Sequence, residues 1–270
     1  MRVDPASATA ATALENDPFY QSICAGYVHD AVGRHAVLTQ YFAYSIQEGK
    51  EIGRCIHLAD PTRGVAVWVL PQAPDVRSRA AQNKRVFLQA TLDAEGCANY
   101  YRIVDFMSSK AASLVDRDTW YLSIVAVDPA AQGQGLGRKL LQPTLAEADR
   151  VSATCYLETF SPRNLSFYER LGFAAAARFA EPTTGADYVV MVRDPGPRLR
   201  PAHLKVRVGC LLFLGSNYSR RIPMKPLHVF LPLAVLAFTA SPWRRAQKLP
   251  LSLCPSLLRD FQLQPVHDAR

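Results

Sequence analysis

Hydrophobic positions along the chain change period several times, and each change marks an element. Over residues 17–38 the apolar positions Phe19, Ile23, Tyr27 and Val28 keep mixed helical spacing, which predicts the first helices. Residues 41–46 fit either a continuing helix or the entry to a strand. Residues 51–58 alternate and stop at Ala59-Asp60-Pro61, and residues 64–70 form an apolar run ended by Pro71. These two predict a hairpin, with Trp68 in its core. Residues 72–118 read as a long connection holding helices near 78–92 and 98–107.

Residues 120–127 are rich in aromatic and β-branched side chains, as a largely buried strand is. Gly137, Leu140, Leu141, Thr144, Leu145 and Ala148 then fall on one helical stripe. Within that helix Pro143 predicts a kink or an early break, because it removes a donor and crowds the preceding turn. Residues 154–160 form another strand. Ser161 and Pro162 supply an N-cap and a first helical residue, and that helix runs to Leu171 and closes at Gly172. Residues 173–179 and 187–192 predict a last antiparallel pair. The whole is an α/β fold: a mixed sheet of six or seven strands with helices on both faces.

The chemistry concentrates between the strand at 120–127 and the helix after it. Asp128-Pro129-Ala130-Ala131 turns the chain, and Gln132, Gly133, Gln134, Gly135, Leu136 and Gly137 carry three alternating glycines into the helix start. First-turn N–H groups and the positive end of the helix dipole attract an anion, and glycines let it reach the backbone without meeting Cβ atoms. A Rossmann fingerprint would need glycine where Arg138 stands, and a Walker loop would need Gly-Lys-Ser/Thr in place of Gly137-Arg138-Lys139-Leu140. Arg138 and Lys139 are candidate phosphate partners or solvated charges.

The spacing Gln-x-x-Gly-x-Gly, here Gln132, Gly135 and Gly137, resembles the acetyl-CoA pyrophosphate loop of the GNAT superfamily of N-acetyltransferases. Asn164-Leu165-Ser166-Phe167-Tyr168-Glu169-Arg170-Leu171-Gly172-Phe173 is similar to the family's Asn-x-x-x-Tyr-x-x-x-Gly-Phe block, 27 residues beyond Gly137. Residues 64–71 are similar to a stretch in a fungal-type branch of that family. The resemblance implies that the fourth and fifth strands of the family's fold splay apart and hold the pantetheine arm of acetyl-CoA. The backbone around Ile124, Val125 and Val127 would then line that gap and donate to the thioester carbonyl.

It further implies acyl transfer to an amine by direct attack in a ternary complex. Tyr168 is the candidate general acid for the departing thiolate, and Glu158 the candidate base. Asn164 would hold the cofactor amide or orient the helix start. The competing roles are packing for Tyr168 and a solvent-facing strand position for Glu158. Cys155 reads as buried rather than nucleophilic. The alternative functions are a non-catalytic acyl-CoA-binding regulatory module and a membrane-associated protein acting through residues 194–270, and the acceptor stays open among small amine, amino acid, antibiotic and protein N-terminus.

Charge changes the picture only at one end. Of the chain's 31 Lys and Arg, 19 lie at or before Arg193, against 20 of its 23 Asp and Glu, so the basic excess belongs to residues 194–270. The core, residues 15–193, is therefore not expected to bind nucleic acid. Six scattered cysteines without a C-x-x-C pair, and histidines without a metal spacing, predict an intracellular protein with reduced thiols and no metal. Residues 194–270 hold ten of nineteen prolines and an apolar run over 227–240, shorter than the roughly 20 residues of a membrane span. They are expected to pack poorly. Three origins stay open for them: a membrane-surface segment, a disordered tail, and read-through of non-coding sequence.

Overall fold

A computed structural model of the chain describes residues 4–196. Six strands form one mixed sheet in the order β1-β2-β3-β4-β6-β5: β1 Gly53–His57, β2 Gly64–Val69, β3 Trp120–Val127, β4 Cys155–Thr159, β5 Ala174–Glu181 and β6 Ala186–Arg193. Only β3 and β4 run parallel. The basic segment, with its apolar run at 227–240 and the membrane-surface origin left open for it, lies outside the described residues beyond Gly196.

Helices cover both faces. On one side lie α1 Pro5–Leu14, α3 Ala31–Ile52 and α5 Ala94–Ala111, with the short α2 Pro18–Ile23 and the charged α4 Pro74–Thr91 beside them. Leu38, Phe42 and Ile46 of α3 are buried there against Val65, Val67, Ile124 and Ala126 of the sheet. Tyr41 and Phe42 share the face with Ile46, so the ambiguous stretch at 41–46 is helix. Helix α1 precedes the boundary drawn at residue 15, yet Ala6, Ala10 and Ala11 are wholly buried in the same core. Alanines let α1 approach α3 closely, and Asp4 caps it while meeting Lys50 at 2.7 Å and His57 at 3.1 Å.

On the other side lie α6 Leu136–Val151 and α7 Leu165–Glu169. Leu140, Leu141, Leu145 and Ala148 of α6 pack against Ala66, Trp68, Leu122 and Leu157. The break expected at Pro143 does not occur, and α6 runs through it to Val151. Three buried leucines contribute about 1.5–3 kcal/mol each, more than the roughly 3 kcal/mol of an interior proline. The helix expected from Pro162 is likewise corrected: it starts as a single 3-10 turn, becomes α-helical at Leu165, and has no side-chain cap from Ser161.

Candidate active site

The site begins where β3 and β4 part. They pair only at Trp120↔Cys155, Tyr121↔Tyr156 and Leu122↔Leu157, after which β3 runs on to Val127 without a partner on that side. Ser123 marks the same point on the other flank. The β2 register steps from Val67↔Ile124 to Trp68↔Leu122, so Ser123 is an extra residue in β3, a bulge that re-aims the strand. Trp120 and Leu122 face α6 before it; Ile124 and Ala126 face α1 and α3 after it.

Backbone direction follows from one hydrogen bond. The Asp128 N–H donates to Arg63 O at 3.1 Å, on the β2 side. Alternation along the strand then turns the N–H and C=O of Val127 and Val125 into the gap. The Gln132 side chain reaches the Val127 carbonyl, donating through Nε2 at 3.3 Å. Ile124, expected to offer its backbone, directs it to β2 instead and borders the site through its side chain.

The glycine loop forms the outer part of the site. Gly133 and Gly135 hold φ of 78° and 74°, the left-handed region, and a Cβ on either would meet nothing within 4 Å. They border an open cavity of about 830 Å³ with Gln132, Leu136, Gly137 and Arg138. No side chain caps α6, whose first-turn amides therefore keep their donors. Arg163 and Arg170 also border the cavity, and among the described residues neither they nor Arg138 form an ion pair. An uncapped helix start, a backbone cradle without Cβ atoms and three free guanidinium groups fit a diphosphate. The Gln134 side chain faces elsewhere, accepting from Arg63 at 3.0 Å.

A second cavity of about 300 Å³ adjoins the first, and Leu14, Asp17, Val125, Phe160, Asn164 and Tyr168 border both. Tyr168 is 6% exposed and lies edge-on to Phe167 and Phe173. Burial pushes its hydroxyl well above the usual tyrosine range, and the nearby Asp17 adds to the rise. Glu158 points into the smaller cavity. Its Oε2 accepts from the Tyr121 hydroxyl at 3.2 Å, and its Oε1 is buried with no hydrogen-bond partner. Burial drives its carboxyl up to about 7, against the opposing hydrogen bond from Tyr121.

The structure brings Tyr168, Glu158 and Asn164 to one cavity. Cys155 is buried, with a thiol pushed up to about 12 by desolvation, which keeps it a neutral packing group. Asp17, Ser123, Arg163 and Arg170 were not legible as site residues. Asp17 had one signal, an Asp-Pro helix start: it caps α2 by accepting from Phe19 N at 2.9 Å, and burial lifts its carboxyl to about 6.

Residues 58–173 match the Acetyltransferase (GNAT) family. An uncharacterized N-acetyltransferase of Schizosaccharomyces pombe is 26% identical over 199 residues, covering 70% of this chain and 78% of that protein. A solved structure of histone acetyltransferase HPA2 and related acetyltransferase from Corynebacterium glutamicum is 22% identical. Its match covers 74% of this chain and 95% of its own, with a TM-score of 0.48.

Proposed function

We propose that this chain, whose residues 58–173 match the GNAT acetyltransferase family, takes acetyl-CoA as co-substrate and acetylates a primary amine by direct attack, with Glu158 as base and Tyr168 as acid. The observation that carries the reading is the meeting of two cavities at the gap between β3 and β4, with Tyr168 and Asn164 on both. Bound acetyl-CoA supplies the acyl thioester. Loop residues 132–137 and Arg138 hold its diphosphate, and the backbone of Val125 and Val127 holds the pantetheine arm and polarises the carbonyl.

Glu158 takes a proton from the acceptor ammonium through its unpartnered Oε1. The freed nitrogen forms the C–N bond and sheds its surplus proton to solvent, the C–S bond breaks, Tyr168 gives its hydroxyl proton to the departing sulfur, and Glu158 returns its proton to solvent. Solvent then reprotonates Tyr168. A tyrosine of pKa about 10 or higher gives its proton to a thiolate of about 8.5 only uphill, so the transfer is completed by the return of a proton from solvent. Cys155, neutral and packed in the sheet, offers no rival nucleophile.

The test pairs Tyr168→Phe with Gly135→Asp. The first is expected to keep acetyl-CoA affinity and lose about 10²-fold or more in thiol release; the second is expected to lose binding. A burst with a trapped acyl-enzyme would refute direct attack. Acetyl-CoA binding without thiol release for any amine would favour a non-catalytic binding module.

A further inference from the structure

The two cavities carry opposite charge. The outer one is bordered by Arg138, Arg163 and Arg170 against Asp17 alone. The inner one is bordered by Asp17, Glu48 and Glu158 against Lys84 alone. Lys84 is already committed, with its Nζ 2.6 Å from Glu48 Oε2 and over the ring of Tyr44. Glu48 and Lys84 therefore cancel, and two carboxylates, Asp17 and Glu158, are left facing the inner space without a cationic partner. Among the described residues, Glu158 Oε1 has no hydrogen-bond donor.

Aromatic rings make up much of the remaining wall. Tyr20, Tyr41, Tyr100, Tyr121, Tyr156 and Phe160 border the cavity. Tyr20 packs edge-on to Tyr41 with centroids 5.7 Å apart, so these rings are mutually braced. At about 300 Å³ the space is at the small end of ligand pockets, which suits a compact molecule rather than an extended chain.

Resting on the acyl-transfer reading above, we propose that the acceptor is a small organic cation: a primary amine on an aromatic or apolar body, without a carboxylate. Its ammonium fills the missing donor position at Glu158 Oε1 and faces Asp17. Its body lies against the tyrosine rings, which favour cations and flat apolar groups alike. An α-amino acid with the same side chain is rejected, because its carboxylate meets Asp17 and Glu158 and finds the one lysine already paired. Specificity thus comes from repulsion as much as from fit.

The experiment uses the full chain and two matched pairs, phenethylamine with phenylalanine and tyramine with tyrosine. Thiol release from acetyl-CoA is expected to show kcat/KM higher for each amine than for its amino acid by about tenfold or more. Calorimetry with coenzyme A present is expected to show amine binding that weakens by about tenfold or more in Asp17→Asn and in Glu158→Gln. Asparagine keeps the α2 cap and glutamine keeps the shape, so a cooperative melt no lower than that of wild type shows that both variants fold. Equal or better turnover of the amino acids overturns the inference while leaving acyl transfer standing. Amine binding that depends on both carboxylates without thiol release supports the inference and sinks the catalytic reading. Amine affinity unchanged in both variants overturns it.

Discussion

Tyr121 and Glu158 meet where β3 and β4 part, the tyrosine hydroxyl donating to Glu158 Oε2 at 3.2 Å. That hydrogen bond favours the charged carboxylate, while burial opposes it and leaves Glu158 at about 7. A base must be unprotonated to act. The ratio of wild-type to Glu158→Gln kcat/KM is therefore expected to climb between pH 5 and pH 8 and level off above about 7. Using the ratio cancels the acceptor's own ionisation. Tyr121→Phe removes the hydrogen bond that favours the charged carboxylate, so the inflection moves upward. A flat ratio would remove Glu158 from the proton transfer.

The same carboxylates make the unliganded protein sensitive to pH. Glu158 rises from 4.5 to about 7 and Asp17 from 3.8 to about 6, both through desolvation. A folded value above the unfolded one means full stability below the unfolded pKa, and loss as pH climbs through the folded one. The contribution of each is thus present near pH 4 and falls away by pH 7, a change on the order of 3 kcal/mol apiece. Melting temperatures measured across that window are expected to decline for wild type. They decline less for Asp17→Asn and Glu158→Gln, and parallel curves would contradict the assignment.

Gly135 and Gly137 sit two residues apart and fail differently when substituted. At Gly135 an added side chain meets open cavity at a φ of 74°, so Gly135→Asp costs about 1–2 kcal/mol in backbone strain. It also places a negative charge where an anion is expected. Calorimetry should show coenzyme A affinity reduced by about 10²-fold or more, with only a small drop in melting temperature. At Gly137 an added Cβ lies 3.0 Å from the Phe167 ring. Gly137→Val is therefore expected to lose about 1–3 kcal/mol of stability through overpacking, read in a denaturant melt.

Particular residues explain how much of this could be read in advance. The loop at 132–137 was legible because its left-handed turns need glycine at fixed spacing, and the α6 stripe because leucines recur at helical period. Helix α1 was not, since Ala6, Ala10 and Ala11 give a weak hydrophobic signal and are buried by close approach rather than by bulk. Asp17 carries in the sequence only an Asp-Pro helix-start signal, and only the folded chain shows it bordering both cavities. The bulge at Ser123 left no mark either, because it depends on the β2 register and not on the residue itself. Pro143 misled in the other direction, local propensity being overridden by the burial of its neighbours.

Two arginine–carboxylate pairs of equal length are expected to differ severalfold in value. Arg54 and Glu147 are 2.8 Å apart at the surface, with side chains 45% and 30% exposed, and the guanidinium also reaches Glu147 Oε2 at 3.1 Å. Solvent screens that pair, so Arg54→Ala should cost about 1 kcal/mol or less. Arg193 and Asp149 are also 2.8 Å apart, but the arginine is only 11% exposed. Its Nε donates to Leu171 O at 3.0 Å, and Asp149 in turn accepts from the Gly196 N–H at 2.8 Å. Arg193 thus ties the end of β6 to α6 and to the turn after Tyr168. Arg193→Met leaves Asp149 and the Leu171 carbonyl without their partner in a half-buried setting, and a loss of about 2–4 kcal/mol follows. Because Leu171 is three residues from Tyr168, the variant should also slow thiol release while leaving coenzyme A affinity near wild type. Arg54→Ala should change neither. Denaturant melts and thiol-release rates on the two variants check the contrast, and equal losses would mean that burial does not set the strength of these pairs here.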